Sequence, residues 1–372
     1  MKYAFRASSL LLLFAMSITF MSCNNTSSTT TLPGSWDKIG DFEGIPRSGS
    51  STFIIDGNAY VGGGFNYEAV GQVATPTGRL NDFWKYDPVD DTWTQVASFP
   101  GTARSNAIAF SLNGKGYVGT GFDGTNPLSD FYEYDPTIGS KGKWRRIADF
   151  GYSTDQQDTS ISARYGCVAF TVKNRAFVGG GHYLSDLKDL WEYDQVNNVW
   201  IQRPSIGGSK RQNGFVMNIN DVAYVGGGTD NSQYVKDFYK FEIDKLDSNG
   251  SPWTALNGLT GKDANGNAIT QPRPRELAST FAIGNFGYLV CGSTNGPLSD
   301  TWQYDPTKDS WIQYFSFSSN SPIAGSARSS ASGFALTSSI GTFGYCVTGG
   351  SGNTKFDDCW RFNPTGVEPN NK

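Results

Sequence analysis

Histidine is almost absent: His182 is the single imidazole in 372 residues. That excludes metal sites built from several histidines, and a Ser–His–Asp triad would have to use His182, with no nucleophile-elbow phrase beside it. Cysteine is scarce. Beyond Cys23 there are four, Cys167, Cys291, Cys346 and Cys359, which is not a disulfide framework for a chain of this size and lacks zinc-motif spacing. Buried free thiols on strands are the expected state, with a local Cys346–Cys359 bridge as the alternative. Charge is sparse: 17% of residues, with a formal net charge of −4, so nothing drives the chain toward nucleic acid or an anionic membrane surface. Long apolar runs are missing too. The one notable run, Ala7 to Phe20, has 14 residues, too short for an ordinary spanning helix.

That run follows Lys2 and Arg6 and precedes "FMSC", which ends at Cys23. Basic residues, an apolar stretch and a small residue before cysteine resemble a bacterial lipoprotein signal. The resemblance implies cleavage before Cys23 and lipidation of its thiol. Residues 1–22 are then the signal peptide and 23–34 a Ser/Thr-rich tether. The expected location is the cell envelope, on the outer membrane of a Gram-negative bacterium, with the membrane contacted only through the lipid.

What the chain has in plenty is glycine (45 residues) and aromatics (14%), a mixture suited to short strands and tight turns. It also repeats itself. "LNDFWKYDP" (Leu80 to Pro88) recurs as "LSDFYEYDP", "LKDLWEYDQ", "VKDFYKFEI", "LSDTWQYDP" and "FDDCWRFNP", the last ending at Pro364. Each copy follows an apolar strand and a glycine phrase such as "AYVGGG" or "YCVTGG". Five copies are followed by a tryptophan: Trp93, Trp144, Trp200, Trp253 and Trp311. The sixth has none, but "GSWDKIGDF" (Gly34 to Phe42) has a Trp segment with nothing before it.

Aromatics two apart, such as Trp84 and Tyr86, share one face of a strand. Each unit therefore reads as four strands, a to d, with the Asp-Pro ending strand c. Repeats of about 50 residues with Gly-Gly and a late Trp resemble the kelch family. The resemblance implies an all-β, six-bladed kelch β-propeller with four strands per blade, spanning 35–364 and leaving 365–372 as a tail. The orphan N-terminal segment is then the outer strand of the last blade, sealing the ring and removing an open edge.

Alternating strands place short a–b turns on one face and most long loops (Gly64–Asn81, Gly151–Ala163, Gly258–Pro274, Ser316–Ala327) on the other. That loop-rich face is the expected recognition face. An arginine opens every strand a: Arg47, Arg104, Arg164, Arg211, Arg275 and Arg328. An aspartate opens every strand c: Asp82, Asp130, Asp189, Asp237, Asp300 and Asp358. One reading pairs the two sets as a brace. The other, which kelch relatives imply, sets the arginines at the channel mouth as a ligand-binding ring for carboxylates or sugar hydroxyls. Phe65, Tyr67, Phe122, His182 and Tyr183 follow the glycine phrases and complete the candidate ligand-binding set.

Kelch proteins include galactose oxidase, whose central domain these repeats resemble. Its copper site needs two histidines, which this chain cannot supply. No catalytic residue, metal or cofactor is assigned. Glu68 and Glu276 are the acids considered as a base, and "DANGN" (Asp263 to Asn267) is a weak calcium pattern. The expected function is a lipid-anchored, monomeric binding module for a glycan or protein ligand. A carbohydrate-active enzyme of the sialic acid mutarotase or epimerase type and a structural envelope scaffold are the alternatives.

Overall fold

Each repeat folds as its alternation predicts. In blade 1 the strands are Ser51–Ile55, Asn58–Gly62, Phe83–Asp87 and Thr92–Gln95. They pair antiparallel in chain order, and four further sheets repeat the arrangement. The turns Asp56–Gly57, Asn113–Gly114 and Lys173–Asn174 hold both central residues at positive φ. That conformation matches the twist of paired strands and makes the tight a–b hairpins. The computed structural model describes residues 32–69, 77–151, 163–261, 271–317 and 326–367. The leader, Cys23 and Asp263–Asn267 lie outside the described residues, as do the middles of the four long loops.

The sixth sheet closes the ring. Its outer strand, Pro33–Asp41, comes from the N-terminus and pairs with the C-terminal strand Asp358–Val367. Trp36 lies opposite Phe362 and Lys38 opposite Trp360. One detail departs from expectation: Pro364 does not end this strand, which runs on to Val367 opposite Pro33. An outer partner along its length continues the ladder where the other blades turn away.

The six innermost strands surround the axis. The core lies between blades rather than within one, as six separate apolar clusters, one per blade interface. Along the second strand, Tyr60 joins the cluster with blade 2 while Ala59 and Val61 join that with blade 6. Aromatic rings fill these seams, so small residues are required where a ring crosses a strand. A Cβ on Gly344 would sit 2.2 Å from the Phe281 ring. The four described cysteines are free and buried. Cys346 meets the thiol of Cys291 rather than Cys359, and the two share the blade 5–6 cluster.

Candidate functional site

The loop face is assembled from three short pieces of each repeat. Two residues after each strand-a arginine stands a residue in the left-handed region: Gly49, Asn106, Gly166, Asn213, Leu277 and Ser330. Each donates its backbone N–H to the carbonyl of its counterpart in the preceding blade, at 2.8–3.1 Å, and Gly49 closes the circle onto Ser330. The result is a collar of six peptide groups around the channel mouth. Outside it runs a second circle, in which one glycine of each glycine phrase donates to the next blade's arginine carbonyl, from Gly64 on Arg104 round to Gly349 on Arg47. These circles explain why the glycine phrase and the arginine repeat together. They also leave the mouth without spare N–H groups at those positions, so a ligand there must be read by side chains.

The arginines themselves are buried in ion pairs rather than presented at the mouth. All six are at most 2% exposed, and each pairs with the strand-c aspartate of its own blade. Arg47 and Arg104 grip both oxygens of Asp82 and Asp130 at 2.7–2.8 Å. Remaining donors go to backbone carbonyls, as from Arg275 to Arg273 and Cys291. A phenylalanine ring covers the guanidinium in four blades. Arg211 Nε is the exception among the six, a buried donor with no hydrogen-bond partner among the described residues; the groups are otherwise desolvated and engaged within their own blades. The bracing alternative describes them, and tryptophan extends it: the indole N–H of Trp84, Trp191, Trp302 and Trp360 donates to the same aspartates. Burial alone would raise the Asp82, Asp300 and Asp358 carboxyls, but the arginine and indole partners hold them below the ordinary range.

Above the collar sits a crown. The residue after each arginine bridges the residue after the glycine phrase: Ser48 with Phe65, Ser105 with Phe122, Tyr165 with His182, Gln212 with Thr229, Glu276 with Ser293 and Ser329 with Gly350. This layer is not six-fold. Blades 1 to 3 carry rings and blades 4 to 6 small or polar groups. Arg79 lies 4.5 Å over Phe65 and 5.3 Å from Phe122. Phe122 meets Tyr165 at 5.4 Å, and Tyr165 meets His182 at 5.4 Å. Lys355 approaches Phe65 from blade 6. Across the mouth, the Asn213 side-chain amide donates to Glu276 at 2.9 Å, while its Oδ1 is buried without a partner among the described residues.

Phe65, Phe122 and His182 thus come together in one arc. Tyr183 is half-buried beside His182, and Tyr67 stands 75% exposed. Arg79, Tyr165, Asp186 and Lys355 were not legible as members. The usable signal was positional, since the residues following the arginine and the glycines form one pair in every blade.

A model of the kelch motif matches residues 46–100, the segment that carries Arg47, the glycine phrase and Trp93. The chain is a six-bladed β-propeller whose first blade matches the kelch motif. It is also similar to proteins named N-acetylneuraminate epimerase from Shigella sonnei (strain Ss046), Escherichia coli (strain K12) and Shigella flexneri serotype 5b (strain 8401). Each is 34% identical over 100 residues, covering 26% of this chain and 25% of the relative.

In this propeller the axis has two parts of unlike chemistry. Below the collar a shaft of about 510 Å³ runs between the inner strands. Its hydroxyls are spent on neighbouring blades: Ser111 donates to Ile54, Thr171 to Ser111 and Thr280 to Val216. Inside the collar lies a smaller cavity of about 190 Å³, bordered by Asn106, Asn213, Leu277 and Ser330. Leu277 stands out there: an aliphatic side chain held at φ 54° costs on the order of 1 kcal/mol, and no other blade puts one in the collar. Burial depresses the Lys355 ammonium, with Glu68 opposing, and raises the Tyr165 hydroxyl, with Asp186 adding to it. Among the described residues no three of His, Cys, Asp or Glu gather as metal ligands.

Proposed function

We propose that this propeller binds a sugar at the collar, with one face of the sugar on the crown's ring arc and its hydroxyls toward Asn213 and Glu276. One observation carries the reading: a frame that repeats six times bears a one-sided arc, Phe65–Arg79–Phe122–Tyr165–His182. The scaffold needs no such asymmetry, whereas a ligand with an apolar face and a hydroxylated edge does. Arg79 and Lys355 at one end of the arc favour an anionic substituent there. We further propose that lipidated Cys23 tethers the propeller in the cell envelope.

A second reading draws on the relatives' name, N-acetylneuraminate epimerase, and makes the same mouth an enzyme acting on a sugar. A protein ligand or a purely structural scaffold are outcomes of the test. Titration calorimetry with a panel of neutral and acidic sugars should find a ligand, and Phe122→Ala or Tyr165→Ala should each weaken it about ten-fold, the ~1 kcal/mol or more of a buried ring contact. Unaltered affinity in both variants, or no sugar bound at all, would sink the proposal.

A further inference from the structure

The third and fourth strands of the blades are joined by turns at the strand end away from the collar. In blades 2 and 5 the residue two after the strand-ending aspartate is a threonine. Thr137 and Thr307 each give both the backbone N–H and the hydroxyl to one oxygen of Asp135 and Asp305. In blade 6 Thr365 does the same with Asn363. Blades 1 and 3 keep the backbone bond, Val89 to Asp87 and Val196 to Asp194, but have no hydroxyl to add. Valine is threonine's β-branched shape with a methyl in place of that hydroxyl. These two turns therefore forgo a hydrogen bond and leave apolar side chains 76% and 92% exposed.

The valines have company at that end. Ile138 lies in the blade 2 turn between Asp135 and Lys143. Ile340 lies in the first turn of blade 6, between Ser338 and Gly341, and is 71% exposed. Seven large apolar side chains stand exposed among the described residues, and these four share one face across the consecutive blades 6, 1, 2 and 3. Blades 4 and 5 present charge there instead: Asp244, Lys245 and Asp247 on the short helix Ile243–Asp247, and Lys308. The chain enters the fold at the same end. Pro33 begins the outer strand of blade 6, opposite Val367, where the other blades carry these turns. Cys23 is ten residues earlier, so a lipid on its thiol is held within about 35 Å of Pro33.

We propose that this turn face docks on a membrane: Val89, Ile138, Val196 and Ile340 seat shallowly in the interface of a zwitterionic bilayer, and the mouth points away from it. This rests on the Cys23 tether proposed above and turns an anchor into a fixed orientation. Each tip buries little area alone. The tether makes docking intramolecular, so weak contacts are enough to hold one face down. Asp90 and Asp91 stand exposed beside Val89, and an anionic leaflet repels them. The apolar tips and their acidic neighbours therefore suit a leaflet of low charge.

The test uses the full chain, purified from membranes and reconstituted into phosphatidylcholine vesicles. An environment-sensitive fluorophore is placed on Asn197→Cys, beside Val196, or on Ser232→Cys, at a crown hairpin tip. The four described native cysteines are buried, which directs the label to the new thiol. On vesicles the label at 197 should brighten at least about two-fold and be quenched by nitroxides on the lipid chains, as for shallow insertion, while the label at 232 stays unchanged. Val89→Thr with Val196→Thr supplies the missing hydroxyls and keeps the fold. It should remove most of the brightening while the protein still floats with the vesicles. About 30% phosphatidylglycerol should weaken it as well. Brightening at 232 instead of 197, or at neither on vesicle-bound protein, overturns the docking and leaves the tether standing. So does brightening that survives the double variant. Brightening at 197 that follows protein concentration without vesicles marks a second copy as the occupant and overturns the bilayer. A wild-type chain that does not float with vesicles overturns the tether, and the docking with it.

Discussion

Arg275 and Asp300 are joined at 2.5 and 2.7 Å, with the guanidinium wholly buried and Trp302 donating to the same carboxylate. Removing one partner leaves an uncompensated buried charge, so Arg275→Ala should cost about 3–5 kcal/mol, read as a fall in the urea midpoint. A loss under 1 kcal/mol would show the brace to be dispensable. The carboxylates also set an acid limit. Asp82, Asp300 and Asp358 titrate below their ordinary value in the folded chain, while an unfolded aspartate titrates near pH 4. The folded chain therefore binds fewer protons. Its extra stability is complete above about pH 4 and is lost as the pH falls through the lower folded values. Urea midpoints from pH 7 to pH 3 should fall below about pH 4, and Asp300→Asn should flatten part of that fall. A flat profile would mean that the pairs contribute nothing in acid.

At the scale of elements, each blade is a four-stranded sheet that buries both faces against its neighbours, and the closing strand is the one piece that joins the chain's ends. Trp36 sits in the blade 5–6 core with Phe281, Phe317 and Phe362, and its indole N–H donates to Thr301. Trp36→Ala should cost about 3–5 kcal/mol and open the seam in preference to unfolding every blade. Hydrogen exchange that quickens first in Asp358–Val367 is the expected signature. Uniform quickening across all six blades would argue that the seam is no weaker than the rest. The small crown hairpins obey a different logic, because they join one another: Asn231 of blade 4 to Asp186 of blade 3, and Asn295 of blade 5 to Tyr234 of blade 4.

The whole molecule is a ring whose blade interfaces are alike and whose loop face is not. Rigidity comes from two closed circles of backbone hydrogen bonds, and function is left to side chains that the repeats do not prescribe. If the proposed tether is correct, Cys23→Ala should move the protein from the membrane to the soluble fraction of a lysate. Retention on membranes would exclude the lipid as its anchor.

Much of this was legible in the chain. Six copies of an Asp–aromatic–aromatic–Asp phrase, an arginine before each and an orphan Trp segment at the N-terminus specify blade number, strand order and closure. Each is enforced at every blade, and such repetition survives in one dimension. The brace was legible as one of two readings; only burial chose between them, because a guanidinium in a cation ring and one in a buried pair are spelled alike. The arc was legible only in part: Phe65, Phe122 and His182 stood out after the glycine phrases, whereas Arg79, Tyr165 and Lys355 did not. Arg79, Phe122, Tyr165, His182 and Lys355 come from four different blades at unrelated spacings, and only closure of the ring sets them side by side. The Asp186–His182 pair likewise exists because a two-strand hairpin with a strained leucine at its tip, Leu184, brings a buried carboxylate back to the imidazole. Sequence determined the architecture, because every blade must satisfy the same packing. Tertiary structure decided the site, because a ligand is met by whichever side chains the curved frame brings to one mouth.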